Sequence, residues 1–284
     1  MKNFIIVTLV AFGFVFALNT VGPVNVQAAT SPTLNALTNY SVLGGQAVTC
    51  IGTTTTSGAV GVSSGTSITG FPTPCIAGGG THSNDASAIA AQAENLATFT
   101  ALDQPCDQSF GAVDLTTTFP SGVSPGVYCS TSSFTLSGNL NLTGSGVWIF
   151  KTVSTLITSP GSSVTGGDPC NVWWRIGSSA TLDTTTSFIG NIFGLNGANT
   201  INTGATLNGR LLAQDPSTVT LNGDSITGPV CSATTTRVAA TPPSLPNTGI
   251  GPTSDTSTSW IIVIPVLALV ASISIYLIRR RQLL

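Results

Sequence analysis

The sequence predicts a mainly β protein whose short strands form an irregular solenoid, with one long α-helix packed alongside. Short runs of β-branched and apolar residues alternate with Gly, Asn and Ser turns, as in FTLSGNLNLTG and GVWIFKT. The chain also matches itself at a shift of about 20 residues, and one Ala-rich segment has helical spacing. A β-sandwich is the alternative, because alternating short strands alone do not separate the two folds.

The internal repeat is clearest in the last third of the chain. A shift of 19 residues aligns SFIGNIFG (187–194) with TLNGRLLA (206–213). A rung of a solenoid, meaning one turn of its coil, buries its inner residues only against neighbouring rungs, so an apolar position must recur once per turn. Outward positions should recur in the same register. The candidates for a shared outer surface are Thr181, Thr200 and Thr220, then Asn202 and Asn222, then Ser187 and Thr206.

The helix is predicted over residues 84–103 (NDASAIAAQAENLATFTALD), where Ser83 or Asn84 can cap the first turn. Apolar residues at helical spacing should form its inner face, and their small size would allow close approach to a sheet. These residues are Ala86, Ile89, Ala90, Ala93, Leu96 and Ala97.

The N-terminus predicts export. Lys2 precedes an apolar stretch over residues 4–18, and Val26-Gln27-Ala28 suits a signal-peptidase site, so residues 1–28 are predicted to be a signal peptide. A buried amphipathic helix is the alternative, but this run is apolar on all sides. The folded domain is then predicted over residues 34–232, followed by a Thr-, Pro- and Ser-rich stalk over 233–259.

The C-terminus predicts surface anchoring. Residues 260–278 form a 19-residue apolar segment, long enough for a transmembrane helix, and the basic residues in 279–284 predict a cytoplasmic tail. Before it lies a pentapeptide that resembles the Leu-Pro-x-Thr-Gly sorting signal of sortase-anchored proteins. Its residues are Leu245, Pro246, Asn247, Thr248 and Gly249. The predicted partner is therefore the cell wall, through a sortase, or the membrane alone if the pentapeptide is only linker.

Six cysteines in the exported part can form disulfides, and they allow 15 pairings. We predict sequential pairing, because each pair would then join one local section of the fold. The pairs are Cys50 with Cys75, Cys106 with Cys129, and Cys170 with Cys231.

Charge and composition exclude several classes of function. Only 6% of the residues are charged, and residues 29–248 hold four basic side chains against nine acidic ones. Nucleic acid is excluded as a ligand, since it requires a basic surface. The chain has one histidine and no CxxC motif, so we predict no metal site and no cofactor. The acidic residues show no paired-carboxylate spacing, so we predict no catalytic residues and no enzyme activity.

Several stretches resemble the microbial ice-binding-like family in order and spacing. They include YSVLGGQAVT, GTHSNDASAIAAQAENL, PCNVWWRIGSSATLDTTTSFIGNI and NTGATLNGRLLAQ, and they span residues 34–232. The resemblance implies a three-faced, discontinuous, right-handed β-helix with one long helix along it.

The same resemblance implies a function, which is ice binding by a flat face of threonine, serine, alanine and asparagine. Ice or ordered water is then the expected ligand of Thr181, Ser187, Thr200, Asn202, Thr206, Thr220 and Asn222. Asp183 stands where Asn202 and Asn222 recur, and this charge would weaken the face as an ice plane. A monomeric, surface-anchored ice-binding protein is predicted. The alternative is a surface adhesin or wall-structural module that keeps the fold without binding ice.

Overall fold

The computed structural model describes residues 28–228 and Cys231. The predicted stalk, sorting signal, apolar segment and basic tail, and the signal peptide up to residue 27, lie outside the described residues. Within the part that is described, no helix is long and apolar enough to cross a membrane.

The described chain forms strands and short turns around one long helix. The two α-helices are α1 (Ala86–Ala101) and the single turn α2 (Leu115–Thr118), and 3-10 turns cover Asn35–Asn39 and Pro169–Asn171. The strands are β1 (Tyr40–Gly44), β2 (Ala47–Ile51), β3 (Thr55–Thr56), β4 (Ala59–Val62), β5 (Ser67–Thr69), β6 (Ile76–Ala77), β7 (Thr81–Ser83), β8 (Gln108–Phe110), β9 (Val113–Asp114), β10 (Gly126–Ser130), β11 (Phe134–Leu136), β12 (Asn139–Leu142), β13 (Trp148–Thr152), β14 (Leu156–Thr158), β15 (Ser163–Gly166), β16 (Val172–Ile176), β17 (Ala180–Leu182), β18 (Ser187–Gly194), β19 (Ala198–Ile201), β20 (Thr206–Ala213), β21 (Thr218–Asn222) and β22 (Ser225–Ile226).

The strands assemble into two parallel sheets that make three faces. Face 1 is the eight-stranded sheet, in the order β5-β2-β21-β19-β17-β14-β11-β9. The other sheet has 14 strands. Its long strands β18 and β20 pair with β15 and β22 through their first residues and with β16 and β1 through their last. This sheet therefore divides into face 2 (β12, β15, β22, β3, β6 and the starts of β18 and β20) and face 3 (its remaining strands).

The predicted stacking of rungs is confirmed by the register of the strands. Phe188 pairs with Leu207 and Gly190 with Gly209, as the sequence repeat requires. All strand pairs among the described residues are parallel, which excludes the antiparallel sandwich. The right-handed sense of the coil stays a prediction.

The coil is discontinuous, as the family resemblance implied. Strand β1 lies between β4 and β20, so the first rungs of the chain stack on the last ones. After β7 the chain enters α1, and it begins again at the far end of both sheets with β8 and β9. Contacts between residues about 170 positions apart, such as Thr55 with Ser225 and Thr49 with Thr220, thus join the first rungs to the last in both sheets.

Glycines allow β18 and β20 to pass from face 2 to face 3. Gly190 has a φ of 110°, in the region that favours glycine, and a Cβ there would lie 2.7 Å from Val172 Cγ1. A Cβ at Gly209 would lie 1.8 Å from the Gly190 carbonyl oxygen. Because no side chain fits between the two backbones, the bend falls at the same position in both rungs.

The interior is filled by inward side chains that stack from rung to rung. Tyr128, Phe150, Trp174 and Phe188 form a continuous column, with ring centroids 5.4, 4.2 and 4.8 Å apart. Aromatic pairs at such distances add stabilisation beyond the area they bury. The column runs along the coil, so it couples the packing of four successive rungs.

The helix lies where the sequence predicted it, but its cap and its buried face differ from the prediction. Helix α1 begins after Asp85, whose carboxylate accepts a hydrogen bond from the Ala88 N–H at 2.9 Å, and not after Ser83 or Asn84. The predicted inner face is wrong, because Ile89 is 52% exposed and Leu96 is 56% exposed. The buried residues are Ala88, Ala91, Asn95, Thr98 and Phe99.

Polar contacts explain this orientation of α1 over face 3. Gln92 donates to the Ala213 carbonyl at 3.2 Å, and Gln214 donates to the Asn95 carbonyl at 3.3 Å. Near the end of the helix, the Arg175 guanidinium lies 4.1 Å from the centre of the Phe99 ring. These hydrogen bonds cannot be predicted from the spacing of apolar residues, so the prediction placed the wrong side of the helix against the sheet.

A second apolar cluster lies between α1 and face 3. It includes outward residues of the face, such as Trp173, Phe193 and Leu212, together with Ala91 and Phe99 of the helix. Face 3 is therefore closed to solvent along the helix. The outward residues of the two remaining faces are mostly small or polar.

The three predicted disulfides are confirmed. Cys50 is bonded to Cys75, Cys106 to Cys129, and Cys170 to Cys231. The first two close loops of 25 and 23 residues, and loops of this size stabilise a fold by about 3 kcal/mol each. The third fixes the end of the last rung to the turn before β16.

One buried carboxyl group is held in the turn between β21 and β22. Asp224 is only 4% exposed, and it accepts a hydrogen bond from the Asn222 N–H at 2.9 Å. Its Oδ1 atom has no hydrogen-bond partner among the described residues. Burial, opposed by this hydrogen bond and by one with Thr54, raises the pKa of Asp224 to about 6.

This raised pKa predicts a pH dependence of stability with a defined sign. The folded state holds the proton more tightly than the unfolded state, so the contribution of Asp224 is complete below pH 3.8 and is lost as pH rises through about 6. A difference of about two pKa units corresponds to about 3 kcal/mol. We expect Asp224→Asn, which mimics the protonated form, to gain about this much relative to wild type between pH 4 and pH 7.

Denaturant unfolding of both proteins across this pH range measures the difference. Asp85→Asn is the control of opposite sign. Hydrogen bonds from the Ala88 N–H and from His82 lower the pKa of Asp85, so its contribution is present above the unfolded pKa and is lost towards low pH. A difference between Asp224→Asn and wild type that does not change with pH would show that Asp224 ionises freely in the fold.

Candidate functional site

One outward position of each rung on face 1 forms a single straight ladder. The register places these residues directly beside one another across all eight strands. In spatial order they are Asp114, Thr135, Ile157, Thr181, Thr200, Thr220, Thr49 and Thr69. Six of the eight are threonine, so face 1 presents a nearly uniform row of one side chain.

The local geometry holds this row in a regular array. Neighbouring strands lie about 4.8 Å apart, and a β-branched threonine has a stiff χ1. On both sides of each outward threonine the side chains point inward, as Leu182, Ile201 and Leu221 do in three successive rungs. The methyl and hydroxyl groups are therefore fixed by a backbone that the core keeps rigid.

Five hydroxyl groups in this row are available to solvent. The side chains of Thr181, Thr200, Thr220, Thr49 and Thr69 are half-buried or exposed. None of them hydrogen-bonds to another group within residues 28–228. Water is then the remaining partner for five donors and acceptors that share one surface.

A second, shorter row on face 1 is built from small side chains. Ser67, Ala47, Thr218 and Ala198 are neighbours in register, two positions before the threonines. Because none of these side chains is longer than threonine, no group stands above the threonine row on this side. Face 1 is therefore flat on this side of the threonine row, whereas on the other side Ile51 of β2 is 55% exposed.

The structure brings three of the predicted site residues together. Thr181, Thr200 and Thr220 pair directly across β17, β19 and β21. Asn222 ends β21 beside Ile51, while Asn202 follows β19 and donates to the Asp183 carboxylate at 3.3 Å. These two asparagines therefore lie at the corner of the coil, where Asp183 also accepts the Thr184 N–H at 2.7 Å.

The prediction of one face that also includes Thr206 is wrong in geometry. Ser187 and Thr206 begin β18 and β20, which belong to the other sheet, and they pair with each other on face 2. The chain turns a corner between Thr200 and Thr206, so equivalent positions of the sequence repeat fall on two surfaces. A repeat gives the spacing between rungs and does not show where each rung bends.

Face 2 is also exposed, but its side chains bond to one another. Its ladder runs through Asn139, Ser163, Ser187, Thr206, Ser225 and Thr55. The hydroxyls of Ser163 and Thr165 both donate to Asn139 Oδ1 at 2.9 Å. The Thr55 hydroxyl donates to the Ser225 hydroxyl at 3.5 Å. Part of the polar surface of face 2 is thus satisfied within the protein.

Three threonines of face 1, namely Thr49, Thr69 and Thr135, were not predicted from the sequence. Thr49 pairs with Thr220 although the two are far apart in the chain. The repeat of about 20 residues does not include this pair, because the pair depends on the stacking of the first rungs on the last. Comparison of AVTC (47–50) with TVTL (218–221) would have indicated it.

Charge is confined to the edges of this surface. Burial acts to raise the pKa of Asp114, but hydrogen bonds from the Ser137 and Thr116 hydroxyls and from two backbone N–H groups outweigh it, so the pKa is lowered. Asp114 is therefore ionised at neutral pH. Within the described residues, no group of three His, Cys, Asp or Glu side chains could hold a metal ion.

Comparisons with known proteins agree with this architecture. An ice-binding protein of Nostoc sp. (strain HG1) is 39% identical over 198 residues, which are 66% of this chain and 71% of the relative. The crystal structure of an ice-binding protein from an Antarctic biological consortium has a TM-score of 0.64 and 34% identity, covering 73% of this chain and 96% of its own. That of an ice-binding protein from the ascomycete Antarctomyces psychrotrophicus has a TM-score of 0.63 and 32% identity, covering 72% and 100%.

The family assignment follows from the extent of the match. A family model described as Ice-binding-like matches residues 42–227. This range begins at the third residue of β1 and ends just after β22. This is more than half of the 284 residues. The chain belongs to the ice-binding-like family.

Proposed function

We propose that this protein binds ice through face 1, and that it acts as a monomer. The observation that carries the proposal is the row of threonines aligned across face 1, in which the five neighbouring hydroxyls from Thr181 to Thr69 have no partner among the described residues. The names of the relatives support it, since the Nostoc protein and the two solved structures are ice-binding proteins.

The chemistry of the row suits ordered water. Each threonine presents a methyl group, which water avoids, beside a hydroxyl group, which binds it. A rigid array of such pairs orders the adjacent water before an ice lattice reaches the surface. Ionised side chains would hold a competing hydration shell, and only 6% of the residues are charged.

Face 1 suits this role better than the other two faces. Face 3 is covered by α1. Face 2 mixes asparagine, serine and threonine, and several of these bond to one another. A lattice requires a flat surface with repeated chemistry, and face 1 provides the longest such row. Ser187 and Thr206 are therefore outside the proposed contact, and Asn202 and Asn222 lie at its border.

We also propose that the protein is exported and held at the cell surface by its C-terminus. The support comes from the sequence, in which a signal peptide precedes the domain and a sorting pentapeptide, an apolar segment and arginines follow it. An anchored ice-binding domain would attach the cell to ice. A domain free in the medium would instead act on ice at a distance from the cell.

Substitution on two faces tests the ice-binding proposal. Thr200→Tyr places a ring above the centre of face 1, so the lattice can no longer contact the neighbouring rungs, and thermal hysteresis should fall by roughly tenfold. Thr206→Tyr is the matched control, because it makes the same change on face 2, and we expect hysteresis like that of wild type. Ice-crystal shape and hysteresis of the purified proteins measure both effects.

Both variants should keep the circular dichroism and melting temperature of wild type, since outward residues do not share the packing of inward ones. Loss of activity in Thr206→Tyr but not in Thr200→Tyr would move the contact to face 2. Absence of ice shaping in the wild type would reject ice binding altogether, and the surface adhesin would become the preferred function.

Replacement of Leu245 or Thr248 by alanine tests the anchoring proposal. If a sortase joins the chain to the wall, either change should move the protein from the wall fraction to the membrane or the medium. Asn247→Ala is the control, because the Leu-Pro-x-Thr-Gly sorting signal accepts any residue at the third position. Unchanged wall attachment in all three variants would mean that the pentapeptide is only linker.

A further inference from the structure

We infer that the ice contact covers only the five strands β17, β19, β21, β2 and β5, and that Ile157 marks its boundary. This inference rests on the proposed function of face 1. Within it, the threonines at 181, 200, 220, 49 and 69 bind the lattice, whereas Thr135 does not, although it lies in the same row. Three observations on the far side of Ile157 carry this conclusion.

The first observation is the side chain of Ile157 itself. It pairs with Thr135 on one side and with Thr181 on the other, and it is 46% exposed. Isoleucine has the β-branched shape of threonine, but a CH₂–CH₃ group replaces the hydroxyl. It offers no hydrogen bond to water, and its terminal methyl extends farther from the sheet. The regular row of methyl and hydroxyl pairs therefore stops at β14.

The second observation is that hydroxyls beyond this point already have partners in the protein. Thr135 donates to the Val113 carbonyl at 3.4 Å. In the adjacent row, Thr155 donates to Ser133 at 2.9 Å, and Ser133 donates to Ser154 at 3.3 Å. These groups would have to break internal bonds to bind a lattice, whereas the five threonines on the other side of Ile157 would not.

The third observation is the ionised carboxylate at the end of the row. Asp114 pairs with Thr135 in register, and hydrogen bonds keep its pKa below the usual range despite partial burial. An ionised carboxylate holds its own hydration shell. Thr135 thus lies between a charged residue and an apolar one, and neither neighbour continues the array.

The boundary gives the contact an unexpected composition. Five strands at about 4.8 Å spacing make a row about 19 Å long. Three of the strands come from the last rungs of the chain, and β2 and β5 come from the first. The junction between them is tight, since all five residues of β2 pair with β21. The lattice would therefore bind across the point where the two ends of the domain meet.

Tyrosine substitution on both sides of Ile157 tests this inference. Thr49→Tyr should reduce thermal hysteresis by about fivefold or more, because the ring lifts the lattice from the neighbouring rungs. Thr135→Tyr makes the same change in the same row, and hysteresis should stay within about 20% of wild type because the exposed Ile157 already ends the row between this position and the five contact strands. Thr69→Tyr, on the edge strand β5, should lose activity as Thr49→Tyr does. It keeps the test valid if Thr49→Tyr fails to fold, because β2 lies inside the sheet.

Melting temperature is measured for each variant, and Thr200→Tyr is included as the reference for face 1. Equal losses in Thr135→Tyr and Thr49→Tyr would overturn the boundary while leaving face 1 as the contact. Full activity of folded Thr49→Tyr and Thr69→Tyr would also overturn it, because the first rungs would then not take part. Full activity of Thr200→Tyr would instead reject face 1 as the ice contact, and this inference with it.

Discussion

The register between parallel rungs is the constraint on which the rest of the structure depends. Each strand pairs residue for residue with the strand of the next rung, so any side chain lies directly beside its equivalent. Inside, this places Phe150 against Trp174. Outside, the same register places Thr181 beside Thr200 and Thr200 beside Thr220. One backbone geometry therefore produces both a stacked core and a repeated surface, and a shift of one residue would reverse the two.

The three faces of the same rungs differ in what covers their outward side chains. Face 3 has apolar residues on both sides of its sheet, and α1 covers the outer ones, so the helix completes a second core. Faces 1 and 2 have no such cover, and most of their outward side chains are small or polar, with Ile51, Ile76 and Ile157 as exposed exceptions. The glycine pair at Gly190 and Gly209 lies where β18 and β20 pass from face 2 to face 3. The low charge of the chain is compatible with this plan, because threonine and serine replace ionised groups on the open faces.

The features that could be predicted from the sequence are those that depend on neighbours in the chain or on a recurring spacing. The helix segment, the three disulfides and the alignment of Thr181, Thr200 and Thr220 are of this kind. The buried side of α1 depends instead on single hydrogen bonds from Gln92 and Gln214 to residues far along the chain. Thr49 and Thr206 were misplaced or missed for a related reason, since their positions depend on where the coil restarts and where it turns. The buried side of the helix and the positions of these threonines depend on tertiary contacts, which leave no local pattern in the sequence.

The central claim is that a flat, rigid row of threonines on face 1 binds ice, and plane-specific adsorption tests it most directly. A single ice crystal is grown slowly in a dilute solution of the fluorescently labelled protein, with a labelled protein of no ice affinity as the comparison. The account predicts that the label enters the ice on defined crystal planes, and that labelled Thr200→Tyr is excluded from them. Exclusion of the wild type from the growing crystal, or equal uptake of the wild type and Thr200→Tyr, would contradict it.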